Sequence, residues 1–242
     1  MQAKAVDIAA VADWYRRGWA NFRAQPGPWI ALLLLYVVLA LAAQLVPVIG
    51  PGLITLLAPA LAAGLLHAAR EGEREHAVEL GDLFAGLTDP GSRRGLFLLG
   101  VLALVATLLL AALFLFAVQT LELQSGALHP DGQRGALAGV VGLALLATGL
   151  AGAMALFFAV PLVHFARLAP LPALALSLGT CLRNLLPLLI YGVSYSLLAL
   201  IAGLPYGLGF LILGPVGMAA NWACYSDIFG TEERVEGEAA AG

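Results

Sequence analysis

Apolar positions along this chain come in runs too long for the core of a small water-soluble domain. No charged residue stands between Trp29 and Arg70. Further runs cover about 95–118, 136–166, 185–204 and 207–226, and the first stretch divides at PVIGP into 29–46 and 51–69. Each run approaches or exceeds the roughly 20 residues that span a hydrocarbon core. A lipid-exposed backbone must satisfy its own hydrogen bonds, so these runs predict helices. Leu-rich stretches such as ALLLLYVVLALAA lack the two-residue alternation of a membrane β-barrel. The run after Arg16, Arg17 and Arg23 continues well past Ala40-Leu41-Ala42, so a retained span is expected there and not a cleaved leader.

Shorter amphipathic stretches precede each pair of runs. Ile8, Val11, Tyr15, Trp19 and Phe22 recur at helical spacing, as do Leu80, Leu83, Phe84 and Leu87, and then Leu171, Leu174, Leu178 and Cys181-Leu182. Such stretches suit helices lying in the membrane interface, with Trp14 and Trp19 at headgroup depth. The second run of each pair carries a proline, Pro59, Pro161 or Pro215. The predicted fold is an all-α membrane protein with six transmembrane helices. They form three parallel-repeat hairpins, about 29–69, 95–166 and 185–226. A cytoplasmic interfacial amphipathic helix precedes each, at about 8–23, 78–88 and 171–183. Residues 1–230 make a single polytopic membrane domain. The acidic stretch 231–242 has no apolar pattern and is expected to be disordered.

Charge sets the expected orientation. Lys4, Arg16, Arg17, Arg23, Arg70, Arg74, Arg93, Arg94, Arg167, Arg183 and Arg234 flank one side, and Arg134 alone the other. The positive-inside rule then puts both termini in the cytoplasm. The fourth run, 136–166, would measure about 45 Å as a helix against a core of about 30 Å. Its first half is rich in Gly and Ala, which let helices approach closely in lipid. It is the expected centre of the bundle, or a homo-oligomer contact.

Composition narrows the function classes. Hydrophobic residues make up 61% of the 242 and charged residues 11%, against roughly 25% charged in soluble chains. A net charge of −3 gives no reason to expect nucleic acid as a partner. No CxxC or His-Glu-x-x-His motif appears, so no metal and no cofactor is expected. The middles of the spans hold no Asp, Glu, Lys or Arg, and no catalytic residue is assigned. Gln44 and Asn221 are the candidates for interhelical polar contacts. The tetrads HAAR at 67–70 and HFAR at 164–167 align with CYSD at 224–227 when the hairpins are superposed by their exits. They mark helix exits, and leave His67, Arg70, His164, Arg167 and Asp227 as a candidate cytoplasmic polar cluster.

Gly18-Trp19, Asn21-Phe22-Arg23 with Pro26, PVIGP, LFAGL at 83–87, CLRNLLP at 181–187, and Tyr225 with Asp227-Ile228-Phe229 resemble an uncharacterised family of proteobacterial six-span inner-membrane proteins. In layout the chain is also similar to the membrane domain attached to some glycerophosphodiester phosphodiesterases. The resemblance covers nearly the whole chain. It implies a polytopic protein of the inner membrane and supplies no catalytic residues. The expected role is non-catalytic: a scaffold or modulator engaging membrane lipids, their headgroups, or another membrane protein. The alternative is a transporter or channel for a lipid or small apolar molecule, admitted through a gap between hairpins lined by Gly, Ala and Tyr. An intramembrane enzyme built on the histidines ranks below both.

Overall fold

A computed structural model describes residues 3–47, 49–124 and 132–230. The expected disordered tail at 231–242 and the middle of the polar loop, 125–131, lie outside the described residues. Among the described residues every regular element is helical. The helices are α1 (Ala10–Ala24), α2 (Pro26–Gln44), α3 (Ile49–Glu73), a 3-10 helix (Leu80–Phe84), α4 (Ala85–Thr88), α5 (Arg93–Gln124), α6 (Gly132–His164), α7 (Pro170–Arg183), α8 (Leu185–Gly203) and α9 (Phe210–Phe229).

Among the described residues five helices are long and apolar enough to cross a membrane: Pro26–Gln44, Ile49–Glu73, Arg93–Gln119, Ala138–His164 and Leu185–Gly203. α9, which covers most of the expected sixth segment, is not among them. Asn221, Trp222, Tyr225, Ser226 and Asp227 lower its hydropathy. Its position shows why it tolerates them. It is buried along most of its length, from Leu213 to Phe229, and packs against α1, α2, α3 and α8.

This corrects the expectation for the fourth run. α6 is not the centre of the bundle; α9 is. Over the first half of α6, a Cβ added at Gly139, Gly142, Gly149 or Gly152 would meet nothing within 4 Å. Those glycines therefore serve no packing inside this chain. Close approach is used elsewhere. A Cβ at Gly18 of α1 would stand 2.5 Å from the Val216 carbonyl of α9, and one at Gly100 of α5 would stand 1.9 Å from the Leu56 carbonyl of α3. α5 and α6 have 32 and 33 residues, about 48 Å each, and so exceed a core of about 30 Å.

The short amphipathic stretches pack onto the bundle with part of each apolar face, Val11, Phe22, Leu83 and Cys181 among them, and with small or polar residues beside it. On α1 the buried side is Val11, Trp14, Gly18, Asn21 and Phe22, while Ile8 and Trp19 are exposed, Trp19 at 47%. Residues 80–88 are a 3-10 turn running into one turn of α-helix, not a continuous helix over 78–88; Leu83 and Gly86 are buried there and Leu80 is exposed. α7 meets the bundle through its small and polar side. Its buried side is Ala173, Ser177, Thr180 and Cys181, whereas Leu171 and Leu182 point outward.

The reason lies in α6. Pro161 has no N–H, and its ring crowds the preceding turn of its helix. One turn earlier a hydroxyl from α7 bridges two backbone groups of this helix. Phe158 N donates to Ser177 Oγ at 2.9 Å, and Ser177 Oγ donates to the Met154 carbonyl at 2.7 Å. The Cys181 thiol adds a weaker 3.4 Å contact to the same carbonyl. A small polar face is what can reach another backbone this closely, so the leucines of α7 are left for lipid.

Candidate functional site

At one end of the bundle the exits of α3, α6 and α9 meet. The rings of His67 and His164 lie 6.0 Å apart. Arg70 sits over Phe165 at 5.4 Å and over Trp222 at 6.0 Å, and Phe165 stacks against Trp222 at 4.9 Å. Shielded faces of this kind stabilise a guanidinium by the ring quadrupole, each contact being worth about 0.5–2 kcal/mol. His164 is buried, with Nδ1 2.9 Å from Ser92 Oγ and 3.7 Å from Asp89 Oδ2.

Asp89 organises the turn before α5. Its carboxylate accepts from Gly91 N at 3.0 Å, from Ser92 Oγ at 2.9 Å and from the Arg167 guanidinium. Partial burial pushes its pKa up. The hydrogen bonds from Arg167, Gly91 and Ser92, with the charge of Arg167, outweigh that and hold the group at about 2. Arg167 itself has φ 56, a left-handed backbone uncommon outside glycine, where the chain reverses after α6. Leu168 N reaches back to the Leu162 carbonyl and closes that reversal.

A second network ties α1 to the ends of α3 and α9. Arg17 donates to Asp227 Oδ1 at 2.8 Å, to Ser226 Oγ at 2.9 Å and to Glu73 Oε1 at 2.8 Å. Trp14 Nε1 donates to the other oxygen of Asp227 at 2.6 Å, and Trp222 Nε1 to Glu73 Oε2 at 2.5 Å. Two buried asparagines act as clasps. Asn21 donates to the Ala69 carbonyl and accepts from Trp29 Nε1. Asn184 accepts from Val6 N and donates to the carbonyls of Lys4 and Thr180, holding the N-terminal arm.

The candidate cluster is therefore divided. His67, Arg70 and His164 come together. Arg167 joins Asp89, and Asp227 turns to α1. Asp89, Ser92, Arg17, Glu73 and Trp14 complete these networks; from the sequence, Trp14 entered only as an interface residue and Arg17 only as a flanking cation, and the other three were not singled out. The Asp-Pro-Gly-Ser run at 89–92 carried a turn signal that would have found two of them. Among the described residues no group of three or more His, Cys, Asp or Glu is placed to hold a metal ion.

The other feature is a cavity of about 890 Å³ between α2, α6, α8 and α9. That lies within the range of about 300–1,000 Å³ usual for small-molecule sites. Its floor is buried, with Trp29, Leu65, Cys181 and Tyr191, and its outer wall is exposed, with Leu150, Leu189, Val193 and Leu197. Tyr36, Tyr195, Gly192 and Gly214 also line it, and its wall carries no charged side chain. Burial raises the Cys181 thiol to about 11, so it stands there as a neutral thiol. Asn221 lines the cavity, and its side-chain oxygen is buried with no hydrogen-bond partner. Among the described residues the predicted interhelical hydrogen bond to that oxygen is thus not formed. Gln44 is exposed at the last turn of α2 and, among the described residues, makes none either.

Comparison with known proteins decides the family. The chain is 30% identical over 212 residues to a probable inner membrane protein of Burkholderia thailandensis, with 82% of this chain and 76% of the relative covered. The chain belongs to that protein's family. It is accordingly a transmembrane protein of the inner membrane, in keeping with its apolar helices. No protein-family model matches it, and no solved structure does.

Proposed function

We propose that this inner-membrane protein is a non-catalytic lipid-engaging scaffold or modulator that holds a lipid chain or a small apolar molecule in the cavity between α2, α6, α8 and α9. The observation that carries this is the cavity itself: apolar, uncharged, and open along an exposed wall of α8. In a bilayer such a wall faces acyl chains, and its filling needs no charged site. The topology belongs to the same proposal. α9 serves as a sixth span whose polar residues are shielded by α1, α2, α3 and α8. The helices group as three hairpins, each preceded by a shorter helical stretch, and both termini lie in the cytoplasm. The likeness in layout to the membrane domain of some glycerophosphodiester phosphodiesterases is part of this reading and rests on the sequence motifs. The small-residue face of α6, Gly139 to Gly152, supports a homo-oligomer or a second membrane protein as partner.

Native mass spectrometry of gently extracted protein tests the lipid reading. A retained lipid or apolar molecule is expected on the wild type and not on Gly192→Trp. A Cβ at Gly192 meets nothing within 4 Å, so the indole enters the cavity without a backbone clash. Equal retention by both proteins would overturn the proposal.

Transport is the second reading. It is favoured by the passage of the wall from buried floor to exposed rim. Flux of an apolar solute into proteoliposomes, abolished by Gly192→Trp, would support it; equal flux in protein-free vesicles would reject it.

A further inference from the structure

Where α3, α6 and α9 leave the bundle, the carboxylates have partners. Asp89 is held by Arg167, Ser92 and Gly91, Asp227 by Arg17 and Trp14, and Glu73 by Arg17 and Trp222. Glu71 meets His76 at 2.7 Å and Arg74 at 3.9 Å. Two donors at the same place are left over. Among the described residues neither the Arg70 guanidinium nor the His67 ring makes a hydrogen bond or an ion pair; their contacts are with other rings.

Both side chains are half-buried and held in place. Arg70 lies over Phe165 and Trp222 at 5.4 and 6.0 Å. The His67 ring meets that of His164 edge-on at 6.0 Å, and His164 is itself fixed by Ser92 at 2.9 Å. Ring faces stabilise a cation but take up none of its N–H groups in the guanidinium plane. A charge drawn partly out of water without an acceptor is unfavourable. The charged neighbours of Arg70 along α3, Glu71 and Arg74, pair with each other and leave its charge uncancelled.

The spacing narrows the ligand. His67 and Arg70 stand three apart in the final stretch of α3, on one face and one turn from each other. A planar carboxylate is filled by the guanidinium fork alone. A phosphate has further oxygens outside the plane of the fork, which an imidazole N–H one turn away can meet. Arg70 lies in the last turn of α3, at the end where the chain leaves the apolar layer, and lipid phosphates lie at that level.

We propose that Arg70 and His67 form a binding site for a phosphate group, with Arg70 as the bidentate donor and His67 as the third. Neither residue lines the cavity, so the site stands independently of the cavity reading.

The test is calorimetric titration of the full chain in an uncharged detergent at fixed salt. The probes are dihexanoyl phosphatidic acid, inorganic phosphate and dihexanoylglycerol, which lacks the phosphate. Phosphatidic acid should bind at least about tenfold tighter than dihexanoylglycerol. Arg70→Lys, which keeps the charge and loses the fork, should weaken it about tenfold, and His67→Gln about threefold. Arg94→Gln, at an exposed arginine, and Gly192→Trp, in the cavity, should bind as the wild type does. Displacement by inorganic phosphate at a similar concentration would assign the site to free phosphate, and failure to displace would assign it to a lipid headgroup; both support the site. If Arg70→Lys does not fold, His67→Gln decides, because His67 makes no hydrogen bond within the fold. Equal binding of phosphatidic acid and dihexanoylglycerol, wild-type affinity in every folded variant of Arg70 and His67, or an equal loss in Arg94→Gln would overturn the proposal. A loss confined to Gly192→Trp would overturn it too, while supporting the cavity reading.

Discussion

Replacing Ser177 by Ala removes one oxygen and leaves two backbone groups of another helix without it. In the native protein that oxygen accepts from Phe158 N and donates to the Met154 carbonyl, and Ser177 is fully buried. Two magnitudes compete. Interhelical side-chain hydrogen bonds in membrane proteins average about 0.6 kcal/mol. A buried backbone group left without a partner is unfavourable by about 1–3 kcal/mol. The second applies here. The Met154 carbonyl keeps a 3.4 Å thiol contact from Cys181, but the Phe158 N–H keeps nothing unless α6 closes its own ladder. Closure would pull the turn in against the Pro161 ring and separate α6 from α7. The expected loss is about 2 kcal/mol, a fall in Tm of about 4–8 °C for a chain of this size.

The protein carries its own reporter for this. Cys181 and Cys224 are free and buried. A thiol-reactive fluorogenic maleimide in mild detergent therefore brightens as the bundle opens. Thr148→Ala is the matched control, since Thr148 is exposed and bonds only to Ala144 of its own helix. Its expected shift lies within about 0.5 kcal/mol of zero. If Ser177→Ala melted with Thr148→Ala, the inserted hydroxyl would not be what joins α6 to α7.

Other perturbations should behave as follows. Gly18→Ala drives a Cβ to within 2.5 Å of the Val216 carbonyl and should destabilise by about 1–3 kcal/mol in the same melting assay, whereas Gly179→Ala, with nothing within 4 Å, should be neutral or stabilising by up to about 1 kcal/mol. Asp89 is held at about 2, below the 3.8 of an unperturbed carboxyl, so its stabilisation is complete above about pH 4 and is lost as pH falls toward 2. Because Arg167 is half exposed, that contribution is about 1 kcal/mol, and Asp89→Asn should flatten the acid limb of a stability-versus-pH curve by that amount. Arg17→Met leaves Glu73 and Asp227 without the cation they share and should lose about 1–2 kcal/mol; a double-mutant cycle with Asp227→Asn that gave no coupling would refute the shared network.

What was legible in the sequence was whatever the bilayer alone dictates. Run length, the lack of charge and the Pro/Gly turns depend on lipid thickness and backbone chemistry, not on a partner helix. What was not legible depends on distant residues. The apolar spacing of α7 predicted an interfacial helix with its leucines toward lipid, but not which of its residues would meet the bundle. Its orientation goes instead with Ser177, whose hydroxyl bridges Phe158 N and the Met154 carbonyl of α6. No periodicity within α7 contains that information. The short stretches Asn21-Phe22-Arg23 and CLRNLLP make the same point at Asn21 and Asn184. Their place in the sequence is plain, but their work is to clasp Ala69 and Trp29, or Lys4 and Val6, far along the chain.

The same reasoning explains why the least hydropathic of the long helices became the centre. In water the most apolar helix is driven inside. In lipid that drive is absent between helices, and association depends on close packing and on hydrogen bonds that hydrocarbon cannot offer. α9 has the small residues Gly214, Gly217, Ala219, Ala220 and Ala223 and the polar groups of Trp222, Ser226 and Asp227. It therefore loses most by facing lipid. The very apolar α5 loses nothing by facing it, and exposes Leu108, Leu109, Leu113 and Phe114 there.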